Sequence, residues 1–333
     1  MLLNNIIVPF NPSKIKSKMT IAPVIVTAKE SSGFVLLIKG ADFFVEGSSD
    51  IARLFKIPSV VIGLTIVAAG TSAPEAAVSV TAGLAGSNDI ALNNVIGSNL
   101  FNILVVVGVC ATIKMFTADE IIFKRDLPIC IGLTALLTVF LFDGSLGVVD
   151  GIVLIVLFVC YIAMTVVVAL RGRDKNQPEE ETKRRKWWLS LLFVAGGLAG
   201  VIWGGDLVVD SASKIAVNFG MSEALVGLTI VAVGTSLPEL VTSITAAKKG
   251  DSGMALGNVV GSSIFNIVFI LGMSSALSPI GTNADTMFDI LFCLGTIIFT
   301  FVAIALCKKQ VKRPVGITLV LLYIAYMVFI ILR

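Results

Sequence analysis

The apolar residues of this chain run on without alternating. Gly151–Leu170 and Gly316–Leu332 hold no charged side chain, and a membrane-spanning helix needs about 20 such residues. A spanning β-barrel would instead alternate apolar and polar positions. Ten segments of this kind follow one another, at 33–52, 58–84, 89–113, 127–142, 147–170, 187–209, 222–247, 253–278, 286–307 and 314–332. The predicted fold class is an all-α polytopic membrane protein.

Composition sharpens that reading. Of the 333 residues 56% are hydrophobic and 14% charged, where a soluble domain carries about 25% charge. A compact soluble body could not cover that much apolar surface, and disorder is excluded by the same figures. The net charge of +3 gives no case for nucleic acid. His is absent, which removes the usual proton shuttle. Cys110, Cys130, Cys160, Cys293 and Cys307 lie in apolar stretches without paired spacing and are expected to be buried thiols.

Charge also orients the spans. Arg171–Lys186 holds seven Lys/Arg and four Asp/Glu and is expected to be cytoplasmic. Alternation then places Arg53, Lys56, Lys114, Lys124, Arg125, Lys248, Lys249, Lys308, Lys309, Lys312 and Arg313 on the same side. The opposite connections, around Ser87, Asp143, Asn218 and Asn283, carry only Lys214. Residues 1–32 contain Lys14, Lys16, Lys18, Lys29 and Glu30, lack a clean signal-peptide pattern, and are set apart as an atypical N-terminal segment.

The chain repeats itself. GLTIVAAGTSAPE at Gly63–Glu75 returns as GLTIVAVGTSLPE at Gly227–Glu239, 164 positions later. The same offset holds without a gap from Gly40 to Ile103, with about half of the positions identical. The predicted units are 33–170 and 187–333. Each holds five spans, an odd number, so the two copies cross the membrane in opposite directions. Inverted repeats of this sort are a feature of many secondary transporters, with the substrate held near the midplane.

Polar residues inside the repeat give it chemistry. Glu75 and Glu239 fall in mid-span, where a carboxylate needs a cavity or a partner. Pro74 and Pro238 each remove a helical hydrogen bond and free the carbonyls of Gly70 and Gly234; those of Ala68, Thr71, Ala232 and Thr235 lie around the same breaks. Carbonyl oxygens beside carboxylates suit hard cations such as Ca²⁺ and Na⁺. Ser72, Glu75 and Ser79 share one helical face, as do Ser236, Glu239 and Ser243. The following helices offer Asn94, Ser98 and Asn102, and Asn258, Ser262 and Asn266, at intervals of four. Such residues also serve as glue between helices, with Gly97 and Gly261 permitting close approach. Four helices in two matching pairs, each pair with a glutamate, favour a shared ion site. Asp42 and Asp206 also match across the repeat and are read as structural or entrance charges. No Walker A loop, nucleophile elbow or HExxH helix is present. The chain is therefore not read as an enzyme, and uphill transport would draw on a second gradient.

GTSAPE…GSNLFN and GTSLPE…GSSIFN resemble the paired motifs of the calcium/cation antiporter superfamily, and within it the sodium/calcium exchangers of prokaryotic type. The resemblance covers residues 33–333. It implies exchange of Ca²⁺ for Na⁺ by alternating access, with no further cofactor, in a multi-pass protein of the cell (plasma or inner) membrane that functions as a monomer. It implies that Glu75 and Glu239 are the principal ligands. Thr71, Ser72, Ser98 and Asn102 would assist in the first repeat, and Thr235, Ser236, Ser262 and Asn266 in the second, with the carbonyls of Ala68 and Ala232. The first and sixth spans would slide as a gating pair. Several family members carry Asp at the position of Asn266, so two carboxylates here leave stoichiometry and K⁺ involvement open. A Ca²⁺/H⁺ antiporter on the same fold and, from another class, a cation channel are the alternatives; Thr-Ser before each glutamate motif favours Na⁺, and an inverted repeat suits alternating access better than a pore.

Overall fold

The computed structural model describes residues 28–84, 88–171, 186–218 and 232–332. The chain forms α1 (Ala28–Phe55), α2 (Ser59–Thr71), α3 (Ala73–Leu84), α4 (Asn88–Leu100, continuing through Phe101–Val106 and Val107–Ile113), α5 (Ile122–Asp143), α6 (Val148–Arg171) and α7 (Trp187–Asn218). After a short turn at Ala232–Gly234 come α8 (Leu237–Lys248), α9 (Ser252–Phe265, continuing through Asn266–Leu271 and Gly272–Leu277), α10 (Ala284–Leu306) and α11 (Arg313–Leu332). Among the described residues seven helices are long and apolar enough to cross a membrane, or eight if the pair α2–α3, bent by 49°, is one broken span.

The innermost helices are α4 and α9, whose most apolar stretches are 72% and 89% buried, against 11% for α11 and 22% for α6. The outer helices therefore turn apolar side chains such as Val149, Val156 and Leu321 away from the protein. Cys110, Cys130 and Cys293 are buried as expected; Cys160 is exposed because it stands on the outward side of peripheral α6, and Cys307 is intermediate.

Helices α1 and α7 pack along each other over most of their length. Their seam is made of glycine: a Cβ on Gly40 would fall 2.7 Å from the Gly200 carbonyl carbon. Helix α1 also runs along α8.

Two short antiparallel ladders stand at the two ends of α5, a 22-residue helix about 33 Å long. Strand β1 (Phe116–Thr117) and strand β2 (Ser145–Leu146) flank α5 in sequence; β3 (Ile280–Gly281) precedes α10 and β4 (Gln310–Val311) follows it. β1 pairs with β4 and β2 with β3. The residues of β1 and β3 lie 164 positions apart, the offset of the internal repeat. Near the first ladder Glu120 bridges Lys124 at 2.5 Å and Lys309 at 3.0 Å. Hydrogen bonds from Lys124 and then Lys309, reinforced by both charges, hold the Glu120 carboxyl below the usual carboxylate range. Along the sequence the second ladder is flanked by Asp143, Asp150 and Asp285, with no lysine or arginine within five residues of either strand.

Candidate functional site

The breaks predicted at the two proline motifs are real turns. After Thr71 the backbone leaves the helix at Ser72 (φ −82°, ψ 7°) and restarts at Ala73; Ser236 does the same (φ −94°, ψ 6°) before Leu237. Pro74 and Pro238 take the second positions of α3 and α8, so they open new helices and, contrary to the expectation from sequence, delete no bond within one, because an N–H in the first turn has no helical acceptor. Each turn aims its serine at the other half of the chain.

The result is reciprocal. Ser72 Oγ donates to Glu239 Oε1 at 2.9 Å, and Ser236 Oγ donates to Glu75 Oε1 at 3.0 Å. Ser236 Oγ also lies 3.2 Å from Ser98 Oγ. Glu75, Glu239, Ser72 and Ser236 are fully buried, and among the described residues Oε2 of each glutamate has no hydrogen-bond partner. Two buried carboxylates with half of their oxygens unsatisfied form an arrangement that a cation would relieve.

The surrounding oxygens come close because the helices do. A Cβ on Gly261 would meet Leu64 Cα at 2.8 Å; its absence lets α9 lie against α2, and Ser262 Oγ donates to the Ala68 carbonyl at 3.3 Å. Thr71 Oγ1 bonds to Asn258 Oδ1 and to the Val67 carbonyl, both at 3.1 Å. Thr235 sits in the turn before Ser236, and of Ala232 only the backbone is described. Asn102 and Asn266 are buried within or at the start of π-helical turns, Phe101–Val106 and Asn266–Leu271. Such widened turns recur at functional sites because they loosen the backbone hydrogen-bond ladder.

Ser79 and Ser243 do not touch the carboxylates. Asn94 Nδ2 donates to Ser79 Oγ at 2.9 Å and to the Glu75 carbonyl at 3.3 Å; Asn258 Nδ2 repeats this with Ser243 at 2.9 Å and Glu239 at 3.4 Å. These are braces that fix the helix bearing each glutamate. Sequence reasoning did not single out Asn99, whose Nδ2 donates to the Ser263 carbonyl at 3.1 Å and whose Oδ1 accepts from Asn266 Nδ2 at 3.1 Å. The available signal is the Asn-for-Ser mismatch at the third letter of GSNLFN and GSSIFN.

Comparison with known proteins gives this geometry a family. The sodium/calcium exchanger protein family matches residues 31–167 and 189–332, nearly all of both halves. The chain belongs to that family. The sodium/calcium exchanger MaX1 of Methanosarcina acetivorans is 30% identical over 337 residues, covering 89% of this chain and 95% of the relative. The inner membrane protein YrbG of Escherichia coli K12 is 36% identical over 263 residues, covering 77% and 81%. Among solved structures, the sodium-calcium exchanger NCX_Mj superposes with a TM-score of 0.78 at 34% identity over 90% of this chain and 96% of that one. In this exchanger the family motifs thus supply the two turns and the two carboxylates that face one another across the halves of the chain.

Proposed function

We propose that the protein exchanges Ca²⁺ for Na⁺ by alternating access, with the ions held where α2–α3, α4, α8 and α9 meet. The observation that carries this is the reciprocal pairing of Ser72 with Glu239 and Ser236 with Glu75, each glutamate keeping one buried oxygen unpartnered. Glu75 and Glu239 are the principal ligands, assisted by Thr71, Ser72, Ser98, Asn102, Thr235, Ser236, Ser262 and Asn266 and by the carbonyls of Ala68 and Ala232. Each serine hydroxyl that donates to a carboxylate can rotate to present its lone pairs to a cation.

The same charge couples the two ions. A site of two carboxylates closed into a dry interior without a cation is strongly penalised. Reorientation is therefore tied to occupancy, by Ca²⁺ in one direction and by Na⁺ in the other.

The architecture proposed is ten helices in two inverted five-helix units, 33–170 and 187–333, joined by a cytoplasmic 171–186. The matching ladders at opposite ends of α5 support it, and the start of the seventh helix lies outside the described residues. The basic end faces the cytoplasm of a cell with the protein in its plasma or inner membrane, and α1 and α7 slide as the gating pair. The protein works as a monomer, without cofactor and without enzymatic chemistry.

Reconstituted into proteoliposomes, the protein should take up Ca²⁺ when Na⁺ is loaded inside, at fixed pH. Uptake driven by a proton or K⁺ gradient alone, and not by Na⁺, would replace Na⁺ as the coupling ion.

A further inference from the structure

Asn266 and Asn102 are equivalent in the repeat, yet their amides are held differently. Among the described residues, both amide atoms of Asn102 are buried without a partner. Asn266 Nδ2 is bonded to Asn99 Oδ1, and only Asn266 Oδ1 is left without a partner.

The difference follows from one backbone carbonyl. The Ser263 carbonyl can only accept, so the group that Asn99 turns towards it must be the Nδ2 amide, and the distance is 3.1 Å. That puts Asn99 Oδ1 on the other side, facing Asn266. An oxygen there can only accept, so Asn266 must present Nδ2 to it. The atom of Asn266 that remains for the site is then Oδ1, a hard oxygen donor; an amide NH₂ in its place would repel a cation. Orientation is relayed through two amides from a carbonyl that cannot change its role.

Among the described residues the other half of the site has no such relay. The repeat places Ser263 opposite Asn99, and the Ser263 hydroxyl is spent on the Val259 carbonyl at 3.0 Å. A serine has no second arm with which to hold Asn102.

We propose that Asn99 is a positioning residue for cation binding, fixing the amide of Asn266 with its oxygen towards the ion, and that it makes the two halves of the site unequal. The proposal rests on the reading of Asn266 as a ligand. It acts on affinity rather than on turnover, because Asn99 makes no contact with the ion and takes part only in presenting Oδ1. Partners that orient a ligand in this way typically change metal affinity by about ten-fold or more when removed.

The test is a double-mutant cycle on the full-length protein in proteoliposomes, reading apparent KM for Ca²⁺ and Vmax separately. Asn99→Ala and Asn99→Ser should each raise KM by about ten-fold with Vmax within about two-fold. The serine variant copies the residue of the other half and guards against a simple folding failure. Asn266→Ala should raise KM as well, and adding Asn99→Ala to it should change KM no further. Ser263→Ala, which keeps the carbonyl, should leave KM at the wild-type value. Wild-type KM in both Asn99 variants, or effects of Asn99→Ala and Asn266→Ala that multiply in the double variant, would overturn the positioning role while leaving the ligand assignment intact. Wild-type KM in Asn266→Ala would overturn both.

Discussion

Lys249, just past the end of α8, reaches back to Asp42 in the middle of α1. Its Nζ donates to the Asp42 carbonyl at 2.9 Å and lies 3.5 Å from Oδ1. The pair pins α1 against the half of the site that runs from Glu239 to the basic end. The repeat matches Asp42 with Asp206 but Lys249 with Ala85, so the equivalent closure of the opposite end would have no lysine to draw on. Lys249→Met should therefore weaken one access state selectively. A half-exposed ion pair contributes about 0.2–1 kcal/mol, so the ratio of apparent Ca²⁺ affinities measured from the two sides of the membrane should move by about 1.4- to five-fold. An unchanged ratio would show that the pair does not bias the cycle.

Glu75→Gln and Glu239→Gln should each abolish Ca²⁺ flux while the protein remains monodisperse and thermally folded. The substitution keeps shape and removes half of the site's formal charge, and Ca²⁺ affinity depends on the number of charged ligands. Flux near the wild-type rate in both variants would mean that the ions bind elsewhere.

Ser79→Ala and Ser243→Ala remove one brace each. Asn94 and Asn258 keep their bonds to the glutamate carbonyls, so the expected outcome is a loss of about 1 kcal/mol in stability with exchange retained. Thermal unfolding read beside Ca²⁺ uptake separates the two effects.

Orientation can be read by labelling. In a background lacking the five cysteines, Ala284→Cys should react with an impermeant thiol reagent added outside, and Lys312→Cys should not. Both positions are exposed, and Ala284 spares Asn283, whose side chain caps α10 by accepting from Thr286 N at 2.9 Å. The reverse pattern would turn the molecule over in the membrane.

Asn266→Asp and Asn102→Asp should differ although the repeat equates them. An aspartate at 266 would set a carboxylate oxygen against Asn99 Oδ1, and Asn99 cannot turn without losing the Ser263 carbonyl. At 102 no such neighbour objects. The expected result is a destabilisation of about 1–3 kcal/mol for Asn266→Asp and a smaller one for Asn102→Asp, measured by thermal or denaturant unfolding in detergent.

The two glutamates are legible as charges inside apolar runs, the turns at Ser72 and Ser236 as breaks beside Pro74 and Pro238, and the asparagines as a four-residue spacing. That each serine reaches the glutamate of the other half is not, because Ser72 and Ser236 leave the helical face that spacing assigns them. Helix ends were less legible. Sequence reading stopped the sixth span at 209, but α7 continues to Asn218, with Lys214 and Asp210 paired at 2.6 Å one turn apart. It began the fourth at 127, but α5 starts at Ile122 because Arg125 Nε bonds Asp126 Oδ1 at 3.0 Å and Tyr161 also donates to that carboxylate. Charges that satisfy one another do not end a helix. The π-helical turns have no compositional mark, and Asn99 was hidden because it is where the repeat departs from itself.

The two ladders have a mechanical consequence. β1–β4 and β2–β3 each fasten a connection of the first half of the chain to a connection of the second, at opposite ends of α5. Rocking one half against the other as rigid bodies would tear both fastenings in every cycle. Among the described residues helices α1 and α7 take part in neither ladder; their glycine seam joins them to each other, and Lys249 ties α1 to the end of α8. On the proposed mechanism the molecule is a stapled frame holding one pair of rods, and its stroke is a slide within the frame rather than a hinge through it.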